Sequence, residues 1–214
     1  MSKTYVIADL HGRFDLLQSA LERTETSPTG GTVVFMGDYI DRGPASKQVM
    51  DRLMAGPQDD RWRWVCLKGN HEDMMVACLR GQADLSWWIG NGGRETLQSF
   101  GGSVPIEYLM WADALPQYYA DGKRIFVHAG ADSTKPMCEQ TEAMLLWYRC
   151  KRYQDVAHPD GYIVHGHTPF EDGPVILEGR CNLDTGAFLT GSLAVAVFDD
   201  DVPGKPERIF TIKA

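Results

Sequence analysis

Short runs of β-branched and aromatic residues alternate with amphipathic stretches along the first third of the chain. Thr4-Tyr5-Val6-Ile7-Ala8 reads as a buried strand, and Leu16, Leu17, Ala20 and Leu21 then recur at helical spacing. Thr32-Val33-Val34-Phe35-Met36 is a second strand, with Val49, Leu53 and Met54 marking its helix. Trp62 to Leu67 is a third, followed by a helix carrying Met74, Met75, Cys78 and Leu79. This repetition predicts a layered α/β fold with parallel strands. The stretch from 83 to about 115 is Trp-rich and reads as helical, broken at Asn91-Gly92-Gly93 and Gly101-Gly102. Beyond it the pattern predicts strands over 124–128, 161–164, 174–177, 193–198 and 208–212, interrupted by one helix over 139–149.

No internal repeat, low-complexity tract or Pro/Ser-rich linker divides the chain, so 1–214 is expected to be a single domain. With 214 residues, 43% of them hydrophobic, it can bury one sizeable core. The formal charge of −8 and the lack of a basic run argue against nucleic acid as a partner, because phosphate neutralisation needs clustered Lys and Arg. No stretch approaches the ~20 apolar residues of a membrane span. Cys66, Cys78, Cys138, Cys150 and Cys181 are odd in number and form no Cys-x-x-Cys pair, which excludes a zinc knuckle and a dithiol site. The first residues run straight into a strand without the pattern of a secretory signal. A monomer in the reducing cytoplasm is the expectation.

The predicted strands end alike. The first runs into Asp9-Leu10-His11-Gly12, the second into Gly37-Asp38-Tyr39-Ile40-Asp41-Arg42-Gly43, and the third into Gly69-Asn70-His71-Glu72. Later strands run into His128-Ala129-Gly130 and Gly166-His167-Thr168. In layered α/β folds ligands gather beyond the carboxyl ends of strands, so five such ends would deliver Asp, Asn or His to one edge of the sheet. Oxygen and imidazole donors without thiolate suit Mn²⁺, Fe or Zn²⁺. The donors exceed what one open metal needs, so two metals sharing a carboxylate is the natural arrangement. Such a pair, roughly 3.5–4 Å apart, activates a bridging water for in-line displacement at phosphorus.

Asp9-x-His11-Gly12, Gly37-Asp38-x-x-Asp41-Arg42-Gly43 and Gly69-Asn70-His71-Glu72 together resemble the calcineurin-like metallophosphoesterases. More narrowly they resemble the phosphoprotein phosphatase family and its compact bacterial and phage serine/threonine phosphatases. The likeness runs from Asp9 to Asp184-Thr185-Gly186-Ala187. It implies a layered α-β-β-α sandwich with the metal site at strand carboxyl ends. It further implies that Asp9 and His11 bind one metal, Asp38 bridges, and Asn70, His128 and His167 bind the second. His71 would be the general acid, oriented by Asp41. Arg42 would grip a substrate phosphate, with Arg149 as the second clamp and Arg152 as its competitor. Two divalent ions, Mn²⁺ first and Fe or Zn²⁺ next, are the implied cofactors. Pro169 stands where the broader superfamily often has a further His, which favours the phosphoprotein-phosphatase branch. Ala8 and Ala45 depart from the pattern outside the ligand set.

The implied activity is hydrolysis of phosphoserine or phosphothreonine, and of phosphotyrosine as an extension, in a phosphorylated protein or peptide. The attacking group would be a metal-bridging hydroxide. Two alternatives stand beside it. Relatives with similar motifs hydrolyse diadenosine polyphosphates, although the symmetrical ones tend to be longer. A scaffold without catalysis is the other, and the intact ligand set with His71 and Asp41 argues against it. Ordinary structural roles compete at single positions. His165 and His167, two residues apart and so on the same strand face, compete for one ligand position. The resemblance favours His167, and His165 then reads as an imidazole that packs or supports a ligand. Trp87 and Trp88 either line a groove or pack a helix, and His158 reads as a surface residue.

Overall fold

Alternate residues of the first strand face different cores, and this sets the layering. The computed structural model describes residues 2–214. In β1 (Lys3–Ile7), Tyr5 and Ile7 pack with Leu16, Leu17, Ala20 and Leu21 of α1 (Phe14–Thr24). Val6 and Ala8 instead join a second cluster with Phe126, Val164, Cys181 and Phe198. The same split recurs in β2 (Gly31–Phe35), where Val33 and Phe35 face the helices and Val34 faces the second sheet. Successive side chains of a strand point to opposite faces, so a strand apolar at every position is covered on both.

The first sheet has the order β10-β9-β1-β2-β3, with β3 (Trp62–Cys66), β9 (Ser192–Asp199) and β10 (Arg208–Lys213). Strands β1, β2 and β3 run parallel, with Ile7 opposite Phe35 and Phe35 opposite Cys66. Helices α1, α2 (Ser46–Ala55), α3 (Asn70–Leu79) and α6 (Ile106–Ala114) cover its outer face. The second sheet has the order β4-β5-β6-β8-β7, with β4 (Tyr118–Ala120), β5 (Arg124–Val127), β6 (Tyr162–His165), β7 (Val175–Ile176) and β8 (Arg180–Asn182). Its outer face packs Ile125, Val127 and Ile163 against Leu145 and Leu146 of α7 (Glu142–Trp147). Four layers result, α-β-β-α, as the resemblance implied.

Two expectations need correction. The five strand ends do not share one sheet edge. β1, β2 and β3 belong to the first sheet and β5 and β6 to the second, and the ends converge because the sheets pack face to face. The helix expected over 139–149 is shorter. The Thr141 side chain accepts the Met144 N–H and caps its start, and Tyr148 leaves helical geometry at ψ 128°. Among the described residues no helix is long and apolar enough to cross a membrane.

Candidate metal centre

Six parallel strands, β1, β2 and β3 with β5, β6 and β8, end at one place. Asp9 and His11 follow β1, Asp38 and Asp41 follow β2, and Asn70 and His71 open α3 after β3. His128 follows β5 and His167 follows β6. Among the described residues five non-glycine residues have positive φ: His11, Asp38, Asp41, Arg42 and His167. All five belong to this cluster. Left-handed backbone is unfavourable for such residues and persists where the surroundings over-determine it, which is the mark of a functional site. His167 therefore lies off the strand, and the expectation that it shares a strand face with His165 fails.

Two groups of side chains converge within reach of a single ion each: His11, Asp38 and His71, and Asp38, His128 and His167. Asp38 belongs to both. One of its oxygens is 3.5 Å from His11 Nε2 and the other 3.4 Å from His128 Nε2. Asn70 Oδ1 stands 2.9 Å from His128 Nε2, and His167 Nδ1 stands 3.2 Å from it. Asp9 is buried beside them, its carboxylate accepting the His167 N–H at 3.1 Å.

The tautomers show what this cradle fits. His11 Nδ1 is 2.8 Å from the Ile40 carbonyl and His128 Nδ1 is 2.9 Å from that of Met36. A carbonyl only accepts, so both rings carry their proton on Nδ1 and present a bare Nε2 to Asp38. Burial, then the neighbouring cationic groups, push His11 down and hold His128 at about 3, so neither ring becomes an imidazolium at neutral pH. The lone pair on His11 Nε2 already meets a cation, the Arg42 guanidinium at 3.0 Å, and that on His128 Nε2 faces a buried carboxylate across a gap that a cation would fill. His167 turns Nδ1 to His128 Nε2 at 3.2 Å, while its Nε2 is buried without a hydrogen-bond partner. Burial raises Asp9 and Asp38 well above the usual carboxylate range, followed by repulsion from Asp184 at Asp9 and from Asp9 and Glu72 at Asp38. The donor set thus fits divalent metal, and second bonds of this kind are what orient metal-ligating imidazoles.

His71 differs from the other rings. Its Nδ1 meets a carboxylate, Asp41 Oδ2, at 2.6 Å, and its Nε2 faces the cluster 3.9 Å from Asp38. Asp41 is fully buried and also accepts the Trp88 Nε1–H at 3.0 Å and the Thr96 hydroxyl at 2.6 Å. Burial lifts Asp41 to about 7 against the pull of these donors, and burial followed by the charge of Arg42 lowers His71 to about 3. Trp88 is thus the packed residue of its pair, while the half-exposed Trp87 stacks on Trp147 at 5.6 Å.

Arg42 reaches the cluster, with Nη1 3.0 Å from His11 Nε2 and its guanidinium over the Phe188 ring at 4.8 Å. A cavity of about 400 Å³ opens beside it, lined by Ile89, Asn91, Arg94, Glu95 and Phe188. Arg149 is exposed, two residues past α7, and its charge lowers His71, His128 and His167 and opposes the rise of Asp184. Arg152 instead pairs with Asp172 at 2.5 Å. His165 is packed as expected, between Arg180 and the Gly166 carbonyl. His158 is not a surface residue: it is buried, with Nε2 3.0 Å from the Lys135 carbonyl.

Two residues that the motifs contain have roles the sequence does not assign. Glu72 is buried and accepts the N–H groups of Asp38, Tyr39 and Gly69 at 2.8–3.0 Å, tying two strand-end loops together. Asp184 follows the sixth parallel strand, is held near 6 by burial, and repels Asp9. The signal was there, since Asp184-Thr185-Gly186 repeats the carboxylate-then-glycine ending of the earlier strands.

Comparison with known proteins points to a family and a fold. Serine/threonine-protein phosphatase 2 of Escherichia coli K12 is 37% identical over 42% of this chain, a match spanning 38% of that protein's length. The protein of the same name from Salmonella typhimurium is 26% identical over 89% of this chain and 90% of its own. An asymmetrical bis(5'-nucleosyl)-tetraphosphatase, PrpE of Anoxybacillus flavithermus, is 27% identical over 88% of this chain and 87% of its own, so length does not argue against that class. A solved structure described as a putative diadenosine tetraphosphatase superposes with a TM-score of 0.71 at 18% identity, covering 100% of this chain and 94% of its own, which shows the shared fold. Residues 2–196 match the calcineurin-like phosphoesterase family, and the chain is a member of that family of metal-dependent phosphoester hydrolases.

Proposed function

We propose that the chain is a two-metal phosphomonoesterase acting on phosphoserine and phosphothreonine in proteins, with Mn²⁺ the first metal to try. In this reading Asp9, His11, Asp38, Asn70, His128 and His167 hold the ions, with Asp38 shared. Two such cations would supply Lewis acidity toward the phosphate and a water acidic enough to act at neutral pH. Arg42 and Arg149 grip phosphate oxygens. Asp41 holds the Nδ1–H of His71, so a proton given to the leaving oxygen would come from Nε2 of the imidazolium form. An ionised Asp41 and a bound phosphate dianion would favour that form against the burial and the Arg42 charge that lower the ring without substrate.

The buried Asp41–His71 pair at 2.6 Å carries the choice of substrate. A serine alkoxide leaves poorly unless protonated, so a monoesterase needs a held acid at that side of the phosphorus. A nucleotide leaving from a polyphosphate needs one far less. The five free cysteines suit a cytoplasmic setting. A second reading, hydrolysis of dinucleotide polyphosphates, is favoured by the cavity beside Arg42, which has room for a nucleoside, and by the likeness to PrpE.

The deciding experiment measures kcat/KM with Mn²⁺ on phosphoserine, phosphothreonine and phosphotyrosine peptides and on diadenosine tetraphosphate. A phosphopeptide preference of at least about tenfold, some 1.4 kcal/mol in transition-state binding, is expected. A preference for the dinucleotide would replace the first reading by the second.

A further inference from the structure

Arg180 opens β8 with its guanidinium buried, yet none of its partners is a carboxylate. Its Nε donates to the Gln154 carbonyl at 2.6 Å, and Nη2 donates to those of Lys151 and Arg152 at 2.8 and 3.1 Å. Nη1 meets His165 Nε2 at 2.9 Å. His165 Nδ1 faces the Gly166 carbonyl at 3.1 Å, so it carries the proton and Nε2 accepts from Arg180. Burying a cation without a counter-charge is costly, and neutral carbonyls offset only part of that. What the cation accomplishes is geometric. The 151–154 stretch has neither helix nor strand hydrogen bonding, and it begins two residues after Arg149.

We propose that Arg180 is a positioning residue for phosphate binding: its planar fork holds the 151–154 turn and thereby sets where Arg149 stands over the site. This rests on the reading of Arg149 as a phosphate clamp. Arg180 is anchored on two sides, through His165 to the strand that leads into His167 and through β8 to the segment ending at Asp184. The segment that runs from Arg149 into this turn is thus registered against the same strand ends as the metal cradle. A lysine would keep the charge but not the flat array of donors that reaches several carbonyls at once.

A double-mutant cycle on the Mn²⁺-loaded full chain tests this. Arg149→Ala, Arg180→Lys and the double variant are each read by kcat and KM on nitrophenyl phosphate, by calorimetric binding of inorganic phosphate, and by metal content. Arg149→Ala is expected to weaken phosphate binding roughly 10- to 100-fold, the size of one charge-assisted hydrogen bond. Arg180→Lys should raise KM and weaken phosphate binding in the same way with both metals retained, and it should add little once Arg149 is gone. Additive losses, loss of metal, or normal phosphate affinity in Arg180→Lys would overturn the positioning role while leaving the clamp intact. Unchanged phosphate affinity in Arg149→Ala would instead remove the clamp itself and the positioning role with it. If the lysine variant does not fold, Arg180→Gln, a neutral donor at the same depth, is read by the same measurements.

Discussion

Asp38 is held at φ 52° with an oxygen turned to each half of the cluster, and Glu72 fixes its backbone N–H. No other side chain belongs to both groups of candidate ligands. Asp38→Ala is therefore expected to abolish activity and to lower bound metal from two ions per chain to one or none, read by elemental analysis. Two tightly held ions in that variant would refute the shared role. His71 calls for a different outcome. Its Nδ1 is committed to Asp41, and only Nε2 is free to meet a substrate. His71→Asn should keep both metals and lose about 10²–10⁴ in kcat on a phosphoserine peptide, the usual worth of a general acid. On nitrophenyl phosphate, whose leaving group needs no proton, the loss should be far smaller. Equal losses on both substrates would assign His71 to phosphate or water instead of the leaving oxygen.

Among the elements, the turn between α4 (Leu85–Trp88) and α5 (Arg94–Ser99) shows what sequence patterning reaches and what it does not. The break at Asn91-Gly92-Gly93 was legible from its glycines. What the break serves was not, because its partner lies some fifty residues away. The Arg42 N–H donates to the Gly92 carbonyl at 3.2 Å, and Gly92 has φ 106°. A Cβ added there would stand 2.6 Å from the Arg42 nitrogen. Gly92→Ala should accordingly cost about 1–3 kcal/mol, measured by urea unfolding, and raise KM on every phosphate substrate because Arg42 is displaced. A destabilised variant with normal KM would separate the turn from substrate binding. The strands were legible for a similar local reason, since unbroken β-branched runs leave little else for the backbone to do. Local pattern cannot show that Trp88 and Thr96 complete the shell of Asp41, nor that Thr141 rather than Glu139 begins the neighbourhood of α7.

Across the whole molecule, the division into two sheets was hidden, because a strand buried on both faces has the same composition whichever sheet it joins. Only the resemblance implied the sandwich, and the role of Asp184 beside Asp9 emerges only with β8 placed next to β6. The division has a consequence for stability. Asp9 and Asp38 belong to the first sheet and His128 and His167 to the second, so ions between them would pin the two sheets at the end where carboxylates and imidazoles otherwise face each other unneutralised. Metal binds the folded chain and not the unfolded one, and each tenfold rise in free ion above its dissociation constant then adds about 1.4 kcal/mol per site. Chelation should lower Tm and abolish activity together, and added Mn²⁺ should restore both. Hydrogen exchange should show β1 and β2 of one sheet and β5 and β6 of the other losing protection on chelation, since the pin spans them. In Asp38→Ala the Mn²⁺-dependent rise in Tm should disappear. If chelation changed exchange only in the loops after the strands, with Tm unmoved, the ions would be bound by a site already rigid without them, and the two sheets would be held by the Val6, Val34, Phe126 and Phe198 core alone.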